Sequence, residues 1–108
     1  MKTAALLYVR NDGYKENERV IVCLSSMLDT FDEVILLDWN SPIDKKPLLY
    51  EIQNQLPKTG RLKHYVIPPT AAFALNNEDP KAQACTQVLA TNIMLRRCEA
   101  DWVVATTI

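Results

Sequence analysis

The stretch Val34-Ile35-Leu36-Leu37-Asp38-Trp39-Asn40-Ser41-Pro42 decides how the rest of the chain is read. Its first four residues are apolar without interruption. A strand with one wet face alternates apolar with polar, so a continuous run of this length reads as a strand covered on both faces. Asp38, Asn40, Ser41 and Pro42 close it with residues that favour turns. A strand buried on both sides needs helices above and below, which predicts an α/β domain around a parallel sheet.

Outward from that segment the same signature recurs. Ala4–Val9 is an apolar run ended by Asn11-Asp12-Gly13, and Leu62–Ile67 is a third, ended by Pro68-Pro69. Trp102–Ala105 is a fourth. Between them lie helical patterns. Residues 16–29 carry Val20, Leu24, Met27 and Leu28 at helical spacing. Residues 47–56 begin with a proline at the first turn and place Leu48, Leu49, Ile52 and Leu56 along one side, before Pro57 and Gly60 stop the helix. Residues 71–79 read as a loop. Pro80 then opens the longest helix, to about Glu99, with Ala84, Val88, Leu95 and Cys98 on its apolar stripe. The resulting order, βαβαβαβ, is the three-layer half of a doubly wound, mostly parallel sheet, with right-handed crossovers expected.

Bulk properties narrow the class. The chain has 108 residues, 48% hydrophobic and 23% charged, which suits one soluble globular domain. Twelve basic and 13 acidic residues give a net charge of -1, without the basic excess of a nucleic-acid binder. No apolar stretch reaches membrane-spanning length. Three cysteines without a CxxC, and a single histidine, argue against a zinc site and fit a reducing, cytoplasmic setting.

In open parallel sheets, ligands sit at the carboxyl ends of the strands. Here those ends carry Arg10-Asn11-Asp12, Asp38-Trp39-Asn40-Ser41, Pro68-Pro69-Thr70 and Thr106-Thr107. Turns favour many of these residues on local grounds alone. Asp38 stands at the tip of the second strand, where a carboxylate can accept hydrogen bonds from a ribose hydroxyl or a base N–H; its other reading is a cap of the turn before Ser41-Pro42. Asn92 falls on the helix stripe expected to face the sheet, where a buried amide needs partners; ligand contact and a structural bridge from helix to loop are both open. Met94, Cys98, Tyr8 and Tyr65 read as core, and Trp102 as packing at the opposite end from the ligand rim. His64 has no partner that would make it a base. Gly13 stands alone, so no GxGxxG follows the first strand, and there is no GxxxxGK[ST].

Taken in order, Arg10-Asn11-Asp12, the segment from Val34 to Ser41, and the helix and strand from Ala90 to Val104 resemble the opening of family-2-like GT-A glycosyltransferases. That family has a polar turn after strand one, an acidic residue closing strand two, and a helix of N-x-G-x-x-x-A-x-G character leading into the metal-binding strand. This chain has Ile93-Met94 where the family has a small residue after the asparagine, and Trp39 where the family has a second acidic or small residue. The resemblance implies a nucleotide-sugar site bordered by Arg10, Asn11, Asp12, Asp38, Asn40 and Asn92, with a nucleotide-sugar donor and an acceptor as partners. It also implies a divalent metal, Mn²⁺ or Mg²⁺, held by a D-x-D-like motif after the fourth strand. The chain ends at Thr106-Thr107-Ile108 without that acid. The expectation is therefore a partial domain over 1–108 with no metal ligands or general base of its own, inactive alone, whose exposed sheet edge favours self-association.

Two other readings use the same half-fold. A non-catalytic binding module would take no sugar nucleotide. A receiver-like signalling domain would need an acidic pair after strand one and its acceptor Asp after strand three, whereas Asp38 follows strand two.

Overall fold

The buried strand around Leu36 is longer than its apolar letters. β2 covers Glu33–Trp39, and all seven residues are buried, including a carboxylate near each end. In the computed structural model, which describes residues 1–11, 15–42, 44–75 and 86–106, it lies inside a four-stranded sheet. β1 (Thr3–Val9) pairs with one edge of β2 and β3 (Leu62–Ile67) with the other, both parallel. β4 (Trp102–Thr106) pairs parallel with the free side of β1. The order is thus β3-β2-β1-β4, all parallel. The chain steps outward from β1 to β3, then returns across the sheet to β4.

Among the described residues four helices cover it: α1 (Lys15–Thr30), α2 (Leu48–Ile52, continued by a 3-10 turn over Gln53–Gln55), α3 (Pro69–Leu75) and α4 (Thr86–Leu95). Alternation along the strands sends side chains into two cores. Ala5, Leu7, Val9, Val34 and Leu36 pack beneath Val20, Leu24, Met27 and Leu28 of α1 and Leu48 and Ile52 of α2. Leu6, Ile35, Leu37 and Trp39 face the other way, onto Ala72 of α3 and Ala90 and Met94 of α4. Each fully buried leucine or isoleucine contributes about 1.5–3 kcal/mol of transfer free energy, so β1 and β2, buried on both sides, carry most of the fold.

Three expectations change. Residues 71–75, read as loop, belong to α3, since Pro69 suits a first helical turn and Ala71-Ala72 are good helix formers. The long helix is described only as α4, and its buried stripe is Ala90 and Met94, while Leu95 is 43% exposed. Trp102 does start a strand at the end away from the rim, but it is 62% exposed and lies outside both cores. Tyr8 and Tyr65 pack against the second core as expected.

At the amino ends of the strands, buried Glu33 is held by charge: Lys2 Nζ lies 3.3 Å and Lys63 Nζ 3.5 Å from its Oε2. Nearby, Asp32 accepts hydrogen bonds from the Thr3 amide and hydroxyl, at 2.9 and 3.2 Å. The amide bond holds the Asp32 carboxyl below its ordinary range. These pairs clamp the start of β1 to the start of β2.

His64 stands beside Leu36 in the β3 register and meets the Tyr50 ring edge-on at 5.9 Å between centroids. Its Nε2 is buried without a hydrogen-bond partner among the described residues. Burial pushes its pKa below the ordinary 6.5, partly opposed by the charge of Asp38. Between the folded and unfolded pKa values the folded chain therefore binds fewer protons at His64 than the unfolded chain.

Two measurements check this packing. Leu36→Ala should cost about 2–5 kcal/mol in urea unfolding, whereas Val22→Ala, on the outer face of α1 and 70% exposed, should stay within about 0.5 kcal/mol. Stability should also fall as the pH drops from 7.5 through 6.5 and level off below the folded pKa of His64. His64→Phe should flatten that segment of the curve, and an unchanged slope would remove His64 as its source.

Candidate functional site

Parallel strands bring their carboxyl ends to one rim, and a crevice forms where successive connections leave in opposite directions. In the order β3-β2-β1-β4 that reversal falls between β1 and β4. Of the strands that flank it, β1 is followed by Arg10 and Asn11, and the loop after β2 stands one strand further on.

Asp38 is fully buried at the end of β2. Its Oδ2 accepts the Leu48 amide at 2.8 Å, and its Oδ1 accepts the Ser41 hydroxyl at 2.5 Å. Leu48 opens α2, whose preceding residue, Pro47, makes no side-chain cap. The carboxylate thus supplies from ten residues upstream the acceptor that a helix start requires, where a negative charge is also favoured by the helix dipole. Ser41 Oγ in turn accepts the Asn11 amide at 2.9 Å, and Asn11 Nδ2 donates to the Lys46 carbonyl at 2.7 Å. Arg10 Nε donates to the Asn40 carbonyl at 2.7 Å. Asn40 has φ 57°, a left-handed conformation that asparagine tolerates better than most residues, and its amide reaches the Ile67 carbonyl at 2.8 Å. The loops after β1 and β2, the start of α2 and the end of β3 are therefore tied into one unit.

Of the residues expected at the site, Arg10, Asn11, Asp38 and Asn40 come together at this rim. Asp12 lies outside the described residues. Asn92 does not join them: it is exposed, on the side of α4 turned away from the Ala90 and Met94 contacts. The sequence of α4 is apolar nearly all round, so its periodicity could not fix which side faces the sheet. Ser41 and the Leu48 amide were not singled out as partners of Asp38. The Asp-x-x-Ser spacing before a proline is the local signal that points to the Ser41 bond.

Beside this network, on the β3 side, lies a cleft of about 160 Å³ lined chiefly by Pro42, Lys45, Pro47, Val66, Ile67 and Pro68. Small-molecule pockets run to roughly 300–1,000 Å³, so this cleft has room for one ring rather than a whole nucleotide. The described residues include no cluster of three or more His, Cys, Asp or Glu side chains able to hold a metal ion. Asp38 spends its oxygens on Ser41 and Leu48, so no step is assigned to a metal here. Among the described helices, none is long and apolar enough to cross a membrane.

The fold is a doubly covered, all-parallel α/β sheet, consistent with a Rossmann-like arrangement. No family model, curated protein or solved structure matches the chain.

The network has an energetic consequence. Asp38→Asn keeps the shape but removes the charge and forces an N–H group toward a donor, and should cost about 3 kcal/mol or more of stability. Ser41→Ala should cost about 1–3 kcal/mol, and the double variant should cost less than the sum of the two. Strict additivity would mean that the two side chains do not interact.

Proposed function

We propose that this chain forms the nucleotide-binding opening of a glycosyltransferase-type α/β domain and takes the nucleotide part of a sugar-nucleotide donor at the rim of β1 and β2. The observation that carries the reading is the connection reversal between β1 and β4, set beside the loops after β1 and β2, which are already fixed to one another and to the start of α2. Preorganised loops lower the ordering cost of binding a polar ligand. Within this proposal Asp38 and Asn11 hold the loops, and contact with the nucleotide falls to Arg10, Asp12 and Asn40. Sugar transfer would further need a divalent cation to offset the diphosphate charge, together with an acceptor site, and this chain is assigned neither. A cytoplasmic setting belongs to the same proposal.

One observation favours a second reading. Both oxygens of Asp38 are satisfied within the protein, as they would be in a binding module that uses the carboxylate purely for structure. The same burial disfavours a phosphoacceptor role, since a fully covered carboxylate offers no path to a phosphodonor.

Amide NMR titration with UDP-, GDP- and dTDP-sugars, with and without Mn²⁺, separates the two. The transferase reading expects saturable shifts confined to residues near Arg10, Asn11 and Asn40, weakened at least about tenfold, or 1.4 kcal/mol, by Arg10→Ala. Absence of shifts with every donor, or shifts gathered around Glu33 at the opposite rim, would leave the binding-module reading in its place.

A further inference from the structure

The cleft on the β3 side of the Asp38 network is lined by groups of two kinds. Asp38 and Val66 are neighbours in the parallel register of β2 and β3, on the face that α2 covers. Asp38 has no exposure and belongs to the inner end of the cleft, whereas Val66 is 40% exposed and belongs to its outer part. Pro42 and Pro47 flank the turn that the Lys45 amide closes on the Pro42 carbonyl at 2.9 Å, and Pro68 follows β3. Proline has no N–H to offer and a rigid ring, so these walls are dry and fixed in shape before anything enters.

The polar atoms among these groups are already engaged. Both Asp38 oxygens are taken by the Ser41 hydroxyl and the Leu48 amide, Ser41 Oγ also receives the Asn11 amide, and the Ile67 carbonyl receives the Asn40 amide. One charged group is left over. Lys45 lines the cleft, is exposed, and forms no ion pair among the described residues.

These features specify a ligand. The cleft measures about 160 Å³, and a protein cavity of about 150 Å³ holds one benzene ring. A flat ring gains dispersion contacts against walls that do not move. A polar substituent on the inner side of that ring would be left without a partner, which costs binding. The Asp38 charge at the inner end repels an anionic group and the Lys45 ammonium on the solvent side attracts one, so a negative head points outward.

We infer that this cleft is a binding site for a small aromatic monocarboxylate, whose ring enters between the prolines and Val66 and whose carboxylate meets Lys45 at the mouth. Benzoate is the simplest member of the class. The site is separate from the contacts proposed for a nucleotide at Arg10, Asp12 and Asn40, and its test uses no nucleotide, so either reading can fail alone.

Amide NMR of the full chain titrated with sodium benzoate should show saturable shifts at Lys45, Val66 and Ile67, with a Kd of roughly 1 mM or tighter. Benzyl alcohol, which keeps the ring and loses the charge, should bind the same residues at least about threefold more weakly. Lys45→Gln, at an exposed position, should weaken benzoate at least about threefold and leave benzyl alcohol unchanged. Val66→Phe fills the cleft from its own lining and should abolish the shifts with both ligands, while the circular dichroism melt shows the fold retained. Absence of saturable benzoate shifts at these residues up to about 10 mM, benzoate binding indifferent to Lys45→Gln, or binding that survives Val66→Phe would each overturn the inference.

Discussion

A carboxylate removed from water must find partners or lose its charge, and the rim of this protein is organised by how Asp38 meets that demand. The side chain ends the central strand with no exposure. One oxygen fixes the start of α2 through the Leu48 amide, and the other takes the Ser41 hydroxyl, which receives the Asn11 amide. A helix of five residues is too short to stand by propensity. It stands here because Leu48 and Ile52 are buried against β2 and because its first amide is held by a charge. The same carboxylate therefore shapes the loop after β1, the loop after β2 and the helix between β2 and β3.

Glu33, at the other end of the same strand, meets the demand differently. It is paired with Lys2 and Lys63, two side chains that are 44% and 38% exposed. The two lysines supply countercharge to a buried carboxylate from partly wet positions, while Asp38 is held by hydrogen bonds within the protein. The amino rim thus combines ion pairs at Glu33 with the Thr3–Asp32 hydrogen bonds, and the carboxyl rim is held by hydrogen bonds to the buried Asp38. The proposed ligand site lies on the hydrogen-bonded frame, where the geometry is set before anything binds.

Much of the fold was legible because burial on both faces leaves a plain mark. Leu62–Ile67 is ended by Pro68-Pro69 as its sequence suggests, and the α1 stripe of Val20, Leu24, Met27 and Leu28 is the observed one. β2 ran past its apolar letters because a buried Glu and Asp continue the strand only with long-range partners, which local pattern cannot reveal. α3 was hidden by its prolines, which read equally as strand stop and helix start. Asn92 was misplaced because an evenly apolar helix has no preferred side until Ala90 and Met94 meet the sheet. At the rim, Arg10, Asn11, Asp38 and Asn40 were recognisable as residues, but not the direction of their bonds. The capping alternative for Asp38 came nearest to what the geometry holds, with a helix start ten residues away as the larger share of it.

The central claim is that Asp38 makes the rim a single fixed unit, and hydrogen exchange of the wild-type backbone addresses it most directly. The Leu48 amide opens a helix and the Asn11 amide sits in a loop, positions that ordinarily exchange within the fast, locally fraying class. If the account holds, both amides exchange only in the slow class shared with the β2 strand, because releasing either one uncovers a buried charge or hydroxyl. Exchange of Leu48 and Asn11 at the rate of exposed loop amides, while β2 stays protected, would contradict it.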